Sequence, residues 1–234
     1  MDYASAQSIW GLLLTRADIH PYVSAALPRR LLRLQEDDNP QAILAIAWQR
    51  NPDLLLIEST PAHSETVDFC RSLRLYFRFP ILIIEDGASE SERIAMLDNG
   101  ADDVVAVQRG LADLLARVNA LIRRSERERR RNPYAGYLQV YDSYLDVRGR
   151  RLLLPENQID LSLTQTRLLA LLFNEQGGFV SDVRLAEHLF GQVSPETINR
   201  VTAALDALRR RINVELRISP VIERIHGQGY RLAQ

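Results

Sequence analysis

The chain has 234 residues, 46% of them hydrophobic and 25% charged. That is enough for two domains with real cores, with no apolar run near the ~20 residues a membrane helix needs. The single Cys70 excludes an internal disulfide framework and a cysteine-based zinc site, and all 29 basic residues are arginine, which excludes any mechanism needing a lysine amine. The net charge of −1 hides an asymmetry: residues 1–124 hold 17 acids and 13 bases, and residues 125–234 hold 13 acids and 16 bases. An acidic first half and a basic second half suit a control domain joined to a nucleic-acid binder. No basic segment followed by an apolar stretch and a cleavage site opens the chain, so a cytoplasmic location is expected.

In chain order, residues 9–14 are a short apolar run that ends at Thr15-Arg16-Ala17-Asp18. A helix-like stretch follows from about His20, broken by Pro28. The pattern then predicts a strand over 31–35, a helix over 41–49, a buried strand over 53–58 and a helix over 66–75. A strand over 81–84, a helix over 89–99 closed by Gly100, a strand over 103–107 and an amphipathic helix over 111–124 complete the first half. Strands alternating with helices predict an α/β domain with a doubly wound parallel sheet covered on both faces. In such sheets chemistry sits at the carboxyl ends of the strands. Those ends hold residues 15–18, Glu58 with Ser59, and Glu85 with Asp86.

Three segments carry a family resemblance: Pro52 to Glu58 (Pro-Asp-Leu-Leu-Leu-Ile-Glu), Pro80 to Glu85 (Pro-Ile-Leu-Ile-Ile-Glu) and Gly100 to Asp103 (Gly-Ala-Asp-Asp). With them, residues 7–124 resemble the receiver domain of bacterial response regulators, a flavodoxin-like fold with five parallel strands. The resemblance also exposes departures. The acidic pair that holds Mg²⁺ is replaced by Thr15, Arg16 and Ala17, with Asp18 one step too late. The phosphate-accepting Asp is replaced by Glu58, the switch Ser/Thr by Glu85, the Lys by Val107 and the following Pro by Gln108. Phosphoryl transfer to a carboxylate needs a metal to neutralise charge and a cation to hold the product. A receiver that does not run the phosphorylation cycle is therefore expected, with no metal and no cofactor. Glu58 either mimics the phosphorylated state, paired to Arg16, or is a tolerated polar strand end.

The same resemblance implies a homodimer through the last two receiver helices and the strand between them. Its three cross-chain ion pairs map to Arg93 with Asp113, Asp103 with Arg117, and Asp102 with Arg124, all of the required sign. Each would occur twice about a twofold axis.

Residues 125–136 read as a helix end followed by a linker. Its arginine-rich run could touch a DNA backbone, although such runs usually face water. From Tyr137 short strands form an antiparallel meander over 138–161. Helices follow over 163–173, with Thr164 as its cap, over 183–190, and over 194–212, and a hairpin with a Gly-rich tip closes the chain. The 194–212 helix has Ser194 as N-cap, Pro195 in its first turn, and an apolar stripe of Ile198, Val201, Leu205, Leu208 and Ile212. The segments Leu163 to Leu169, Val180 to Asp182, Leu189 to Gly191, Leu208 to Arg211 and His226 to Arg231 make residues 137–234 similar to the winged helix-turn-helix effector of the OmpR/PhoB class. The resemblance makes the long helix the reader of the major groove and the hairpin the wing in the minor groove.

On that reading Asn199 could pair with adenine, Arg200 with guanine, and Ala203 or Ala207 with a thymine methyl, with Thr202 beside them. Asp206 could accept from a cytosine amino group but would repel phosphate. Arg209, Arg210, Arg224, Arg231 and Tyr230 could hold phosphates, and His226 stands where the wing usually has Arg. Tyr230 and Arg231 could equally be wing packing and solvated surface. The reading that follows is a non-enzymatic transcription regulator whose partners are double-stranded DNA, a second copy of itself and RNA polymerase, with no membrane. The alternative is a protein-interaction module that has lost strong DNA binding, suggested by Asp206 and Ala207 on the reading face.

Overall fold

The computed structural model describes residues 9–15, 32–50, 52–59, 63–132, 134–212, 221–225 and 228–233. The helix expected from His20 lies outside these residues, as do Arg16, Asp18 and His226. The chain divides into two compact units, Met1–Ala135 and Gly136–Gln234.

In the first unit, β1 (Ile9–Leu14), β2 (Leu32–Asp37), β3 (Leu54–Ser59), β4 (Ile81–Glu85) and β5 (Asp103–Ala106) form one sheet in the order β2-β1-β3-β4-β5. All four pairings are parallel. The helices are α1 (Pro40–Arg50), α2 (His63–Arg74), α3 (Glu90–Asp98) and α4 (Leu111–Arg131). β3 and β4 are buried at every position, as central strands covered on both faces must be. Alternate residues serve opposite faces. Leu13, Leu54, Leu56, Leu82, Ile84 and Val105 pack against Leu114, Val118, Leu121 and Ile122 of α4. An aromatic cluster also forms, in which Phe77 meets Trp48 edge-on at 4.8 Å and stacks on Phe79 at 5.2 Å.

Capping residues set the helix ends. Ser89 and Glu92 close a reciprocal capping box on α3. Beyond its end Gly100 has φ +111°, and a side chain there would run into Arg74. Arg74 holds this corner together: its Nε donates to the Gly100 carbonyl at 2.6 Å, and its Nη2 reaches Asp102 at 2.5 Å. The last helix runs well beyond its amphipathic stretch. α4 continues seven residues past Arg124, to Arg131. The apolar stripe stops at Ile122, but the residues beyond it are good helix formers. An Arg124–Glu128 pair at 3.3 Å and an Arg129–Asp53 pair at 3.3 Å tie the extension down. Asn132 then turns extended, as the residue before a proline must.

In the second unit β6 (Leu138–Val140), β7 (Ser143–Asp146), β8 (Arg151–Leu153) and β9 (Gln158–Asp160) form the antiparallel meander. Then come α5 (Leu163–Asn174), α6 (Asp182–Phe190), α7 (Pro195–Arg209), and a second sheet of β10 (Val180–Ser181), β11 (Val221–Ile225) and β12 (Gly229–Ala233) in the order β10-β12-β11. Two residues are too few to show a period, so β10 was not legible in the sequence. Gly229 lets it approach, since a Cβ there would overlap the Val180 carbonyl. The cap of α5 is Ser162, in a box with Gln165, and not Thr164 as expected. α7 is regular to Arg209 and ends in a wider turn over 210–212.

Candidate functional site

α7 is positioned by sequence features that act locally and then by packing. Ser194 caps it in a box with Thr197, and Pro195 sits in its first turn. Val201, Leu205, Leu208 and Ile212 are buried, which seats the helix and fixes its rotation. The opposite face then presents Asn199, Arg200, Ala203, Ala207 and Arg210 to solvent, with Thr202, Asp206 and Arg209 half-buried at its margins. Arg200 lies with its guanidinium 4.4 Å from the centre of the Phe190 ring, which holds its long side chain at the surface.

The structure gives several of the residues expected at DNA partners within the chain. Asp206 does not stand alone on the reading face. One of its oxygens accepts from Nη1 of Arg224 at 2.9 Å, and the other accepts from the Tyr230 hydroxyl at 3.1 Å. Nε of Arg209 lies 3.5 Å from the same carboxylate. Tyr230 is fully buried and offers no hydroxyl to a phosphate. Burial, and then the Asp206 charge, push its phenol above the ordinary value. The Arg224 guanidinium lies 5.5 Å from the Tyr230 ring centre, so much of its reach is already used. β11 and β12 pair Arg224 directly with Tyr230, and Asp206 clamps that pair to α7. Asp182 is also buried, with its carboxyl raised by burial against the pull of Arg224. Arg231 faces Glu223 across the hairpin at 2.7 Å.

In the first unit the carboxyl ends of β3 and β4 carry two fully buried acids, Glu58 and Glu85. Glu85 is clamped. One oxygen accepts from the Ala88 backbone at 2.7 Å, and the other accepts from Nε of Arg93 at 2.9 Å. The carboxylate thus ties the β4–α3 loop to the first turn of α3. Asp86 accepts from the Gln108 side chain. Val107 begins a 3₁₀ turn (Val107–Arg109). With Ile84, Val105, Leu111 and Leu114 it lines an apolar cavity of about 420 Å³.

Of the residues expected at a dimer interface, the structure brings some together within one chain. Nη1 of Arg117 donates to both oxygens of Asp103 at 2.8 Å, and its Nε donates to Asp113 at 3.0 Å. These hydrogen bonds raise its already high pKa. Asp102 is held by Arg74 and by the Ile81 backbone at 2.8 Å, Arg93 by Glu85, and Arg124 by Glu128. Ile94, Leu97 and Leu111 remain exposed on α3 and at the start of α4. Sequence reasoning missed the Glu85–Arg93 clamp and the Asp206–Arg224–Tyr230 network. Hairpin register makes Arg224 and Tyr230 legible as neighbours, but nothing local points either of them at Asp206.

Residues 156–232 match the family described as "Transcriptional regulatory protein, C terminal". The chain is 30% identical over 199 residues to the response regulator MprA of Mycobacterium leprae, covering 85% of this chain and 86% of MprA. It is 26% identical over 194 residues to the KDP operon transcriptional regulatory protein KdpE of Escherichia coli strain K12, covering 83% of this chain and 85% of KdpE. The crystal structure of DrrB, described as an OmpR/PhoB homologue from Thermotoga maritima, aligns over 97% of this chain and all of DrrB, with 20% identity and a TM-score of 0.39.

Proposed function

We propose that this chain, which belongs to the OmpR/PhoB-type response regulators, controls transcription in the cytoplasm as a dimer that forms without phosphorylation. One observation carries the phosphorylation-independent part. Glu85 stands where such receivers have a hydroxyl that moves toward a new phosphoryl group. Here that position holds a buried carboxylate already bonded to Ala88 and Arg93. A hydroxyl is free to change partners, whereas a buried charge held by a guanidinium is strongly destabilised by losing it. The switch is thereby held in one state. Glu58 in place of Asp and Val107 in place of Lys support the same reading. The dimer uses the α3–β5–α4 face, where Ile94, Leu97 and Leu111 are exposed beside Asp102, Asp103, Asp113, Arg117 and Arg124. Double-stranded DNA and RNA polymerase are the partners, with Asn199, Arg200, Thr202 and Ala203 reading bases and Arg209 and Arg210 meeting phosphates.

The rival reading, an interaction module without DNA specificity, drew on an acid in the groove. With Asp206 turned to Arg224 and Tyr230, that motive weakens. Selection from a random duplex pool tests the reading: a recurring half-site should be enriched, and no enrichment at low salt would remove it. In parallel, a small phosphodonor with Mg²⁺ should leave the chain unlabelled and its oligomeric state unchanged. A label on Glu58 would overturn phosphorylation independence.

A further inference from the structure

We infer that the solvent face of the α4 extension is a second phosphate-binding surface, a ladder of arginines that holds the sugar-phosphate backbone of DNA beyond the winged unit. The helix separates its arginines into two sets. Arg117 is paired with Asp103 and Asp113, Arg124 with Glu128, and Arg129 with Asp53. Arg123, Arg127, Arg130 and Arg131 are exposed, and among the described residues they pair with no acid and no carbonyl.

These four are not scattered. At 3.6 residues per turn, positions 123, 127, 130 and 131 share an arc of about 100°. That arc is centred opposite Leu114, Val118, Leu121 and Ile122, the residues that bury α4 in its own unit. The ladder therefore points straight away from the core. It covers about 12 Å at 1.5 Å per residue, the axial rise of about three to four phosphates on one strand. Glu126 borders it, and the ladder is otherwise of one sign.

Like charges at i,i+4 weaken an isolated helix, and 123–127 and 127–131 are two such pairs. A helix that needed only solubility would mix its signs, as this one does on its other faces. A polyanion compensates the ladder where no side chain does, and the guanidinium fork fits phosphate oxygens in two-point contact. A lipid surface fits less well, because binding there needs an apolar face beside the basic one. The apolar face of α4 is already buried.

The inference rests on the DNA-binding reading above. Its test compares the full chain with the Arg123→Gln/Arg127→Gln/Arg130→Gln/Arg131→Gln variant on a mixed-sequence duplex across a salt series. The slope of log affinity against log salt should be shallower by about 3 to 4, at ~0.9 per lost phosphate contact. The double variant Arg127→Gln/Arg130→Gln should lose about half of that and carries the test if the quadruple one fails to fold. Four Arg→Lys changes should restore most of the slope. If the parent chain binds the duplex and the Gln variants keep its slope and affinity, the ladder is not a phosphate site. If the parent binds no duplex, the regulator reading itself fails. If the variants lose only binding to phosphatidylserine vesicles, the surface serves a membrane and this inference is overturned.

Discussion

Asp206 shows how one residue changes meaning between chain and fold. Along the helix alone, it is an acid on the face expected to read DNA. In the structure it accepts from Arg224 and from Tyr230, both on the hairpin. Two hydrogen bonds to a partly buried charge are worth more than most, so Asp206→Ala should destabilise the second unit by about 1–3 kcal/mol in urea titration. It should also weaken DNA binding on all sequences alike, because the wing loses its seat. A loss of preference at a single base position, with stability intact, would show that Asp206 reads a base after all.

The elements bear out simple local rules where one rule acts alone. Ser194 and the apolar stripe of α7 behave as their spacing predicts. α5 begins at Leu163, where its pattern starts, but its cap is Ser162 and not Thr164, because Ser162 has the glutamine three positions on that completes a capping box. α6 supplies a titration. His188 sits near its end with its imidazole pushed down to about 4 by burial, and then by Arg167 and Arg184. Folding favours the neutral ring, since the ordinary value is 6.5. The stabilisation is complete above pH 6.5 and is lost as pH falls toward about 4. Melting of the full chain should therefore fall over that window, and His188→Gln should flatten the part of the decline that this ring contributes. An identical pH profile for the variant would remove His188 from the account.

For the whole molecule, the charges to test are those that the proposed dimer would use a second time. Arg117 already binds Asp103 and Asp113 within its own chain. In a symmetric dimer the same groups would form a network across the axis, and a network specifies orientation where an isolated surface pair does not. Arg117→Asp places three acids together and should give monomers in sedimentation velocity at concentrations where the parent chain is dimeric. A dimer that survives this change would have to be held by another surface.

Much of this protein was legible before any coordinates. Strand and helix periods, Gly100, the Ser194 cap and the buried stripe of α7 are encoded within a few residues of one another, so the α/β unit and the winged unit could both be read. The positions of Glu58 and Glu85 at the carboxyl ends of their strands were equally plain, because those strands are continuous apolar runs. What only the tertiary structure decided were partners far apart in the chain: Arg93 for Glu85, Arg74 for Asp102, and Arg224 and Tyr230 for Asp206. A side chain's face follows from the local period, but its partner depends on which other element packs beside that face. Charge works over a few ångströms in space, whatever the separation in sequence.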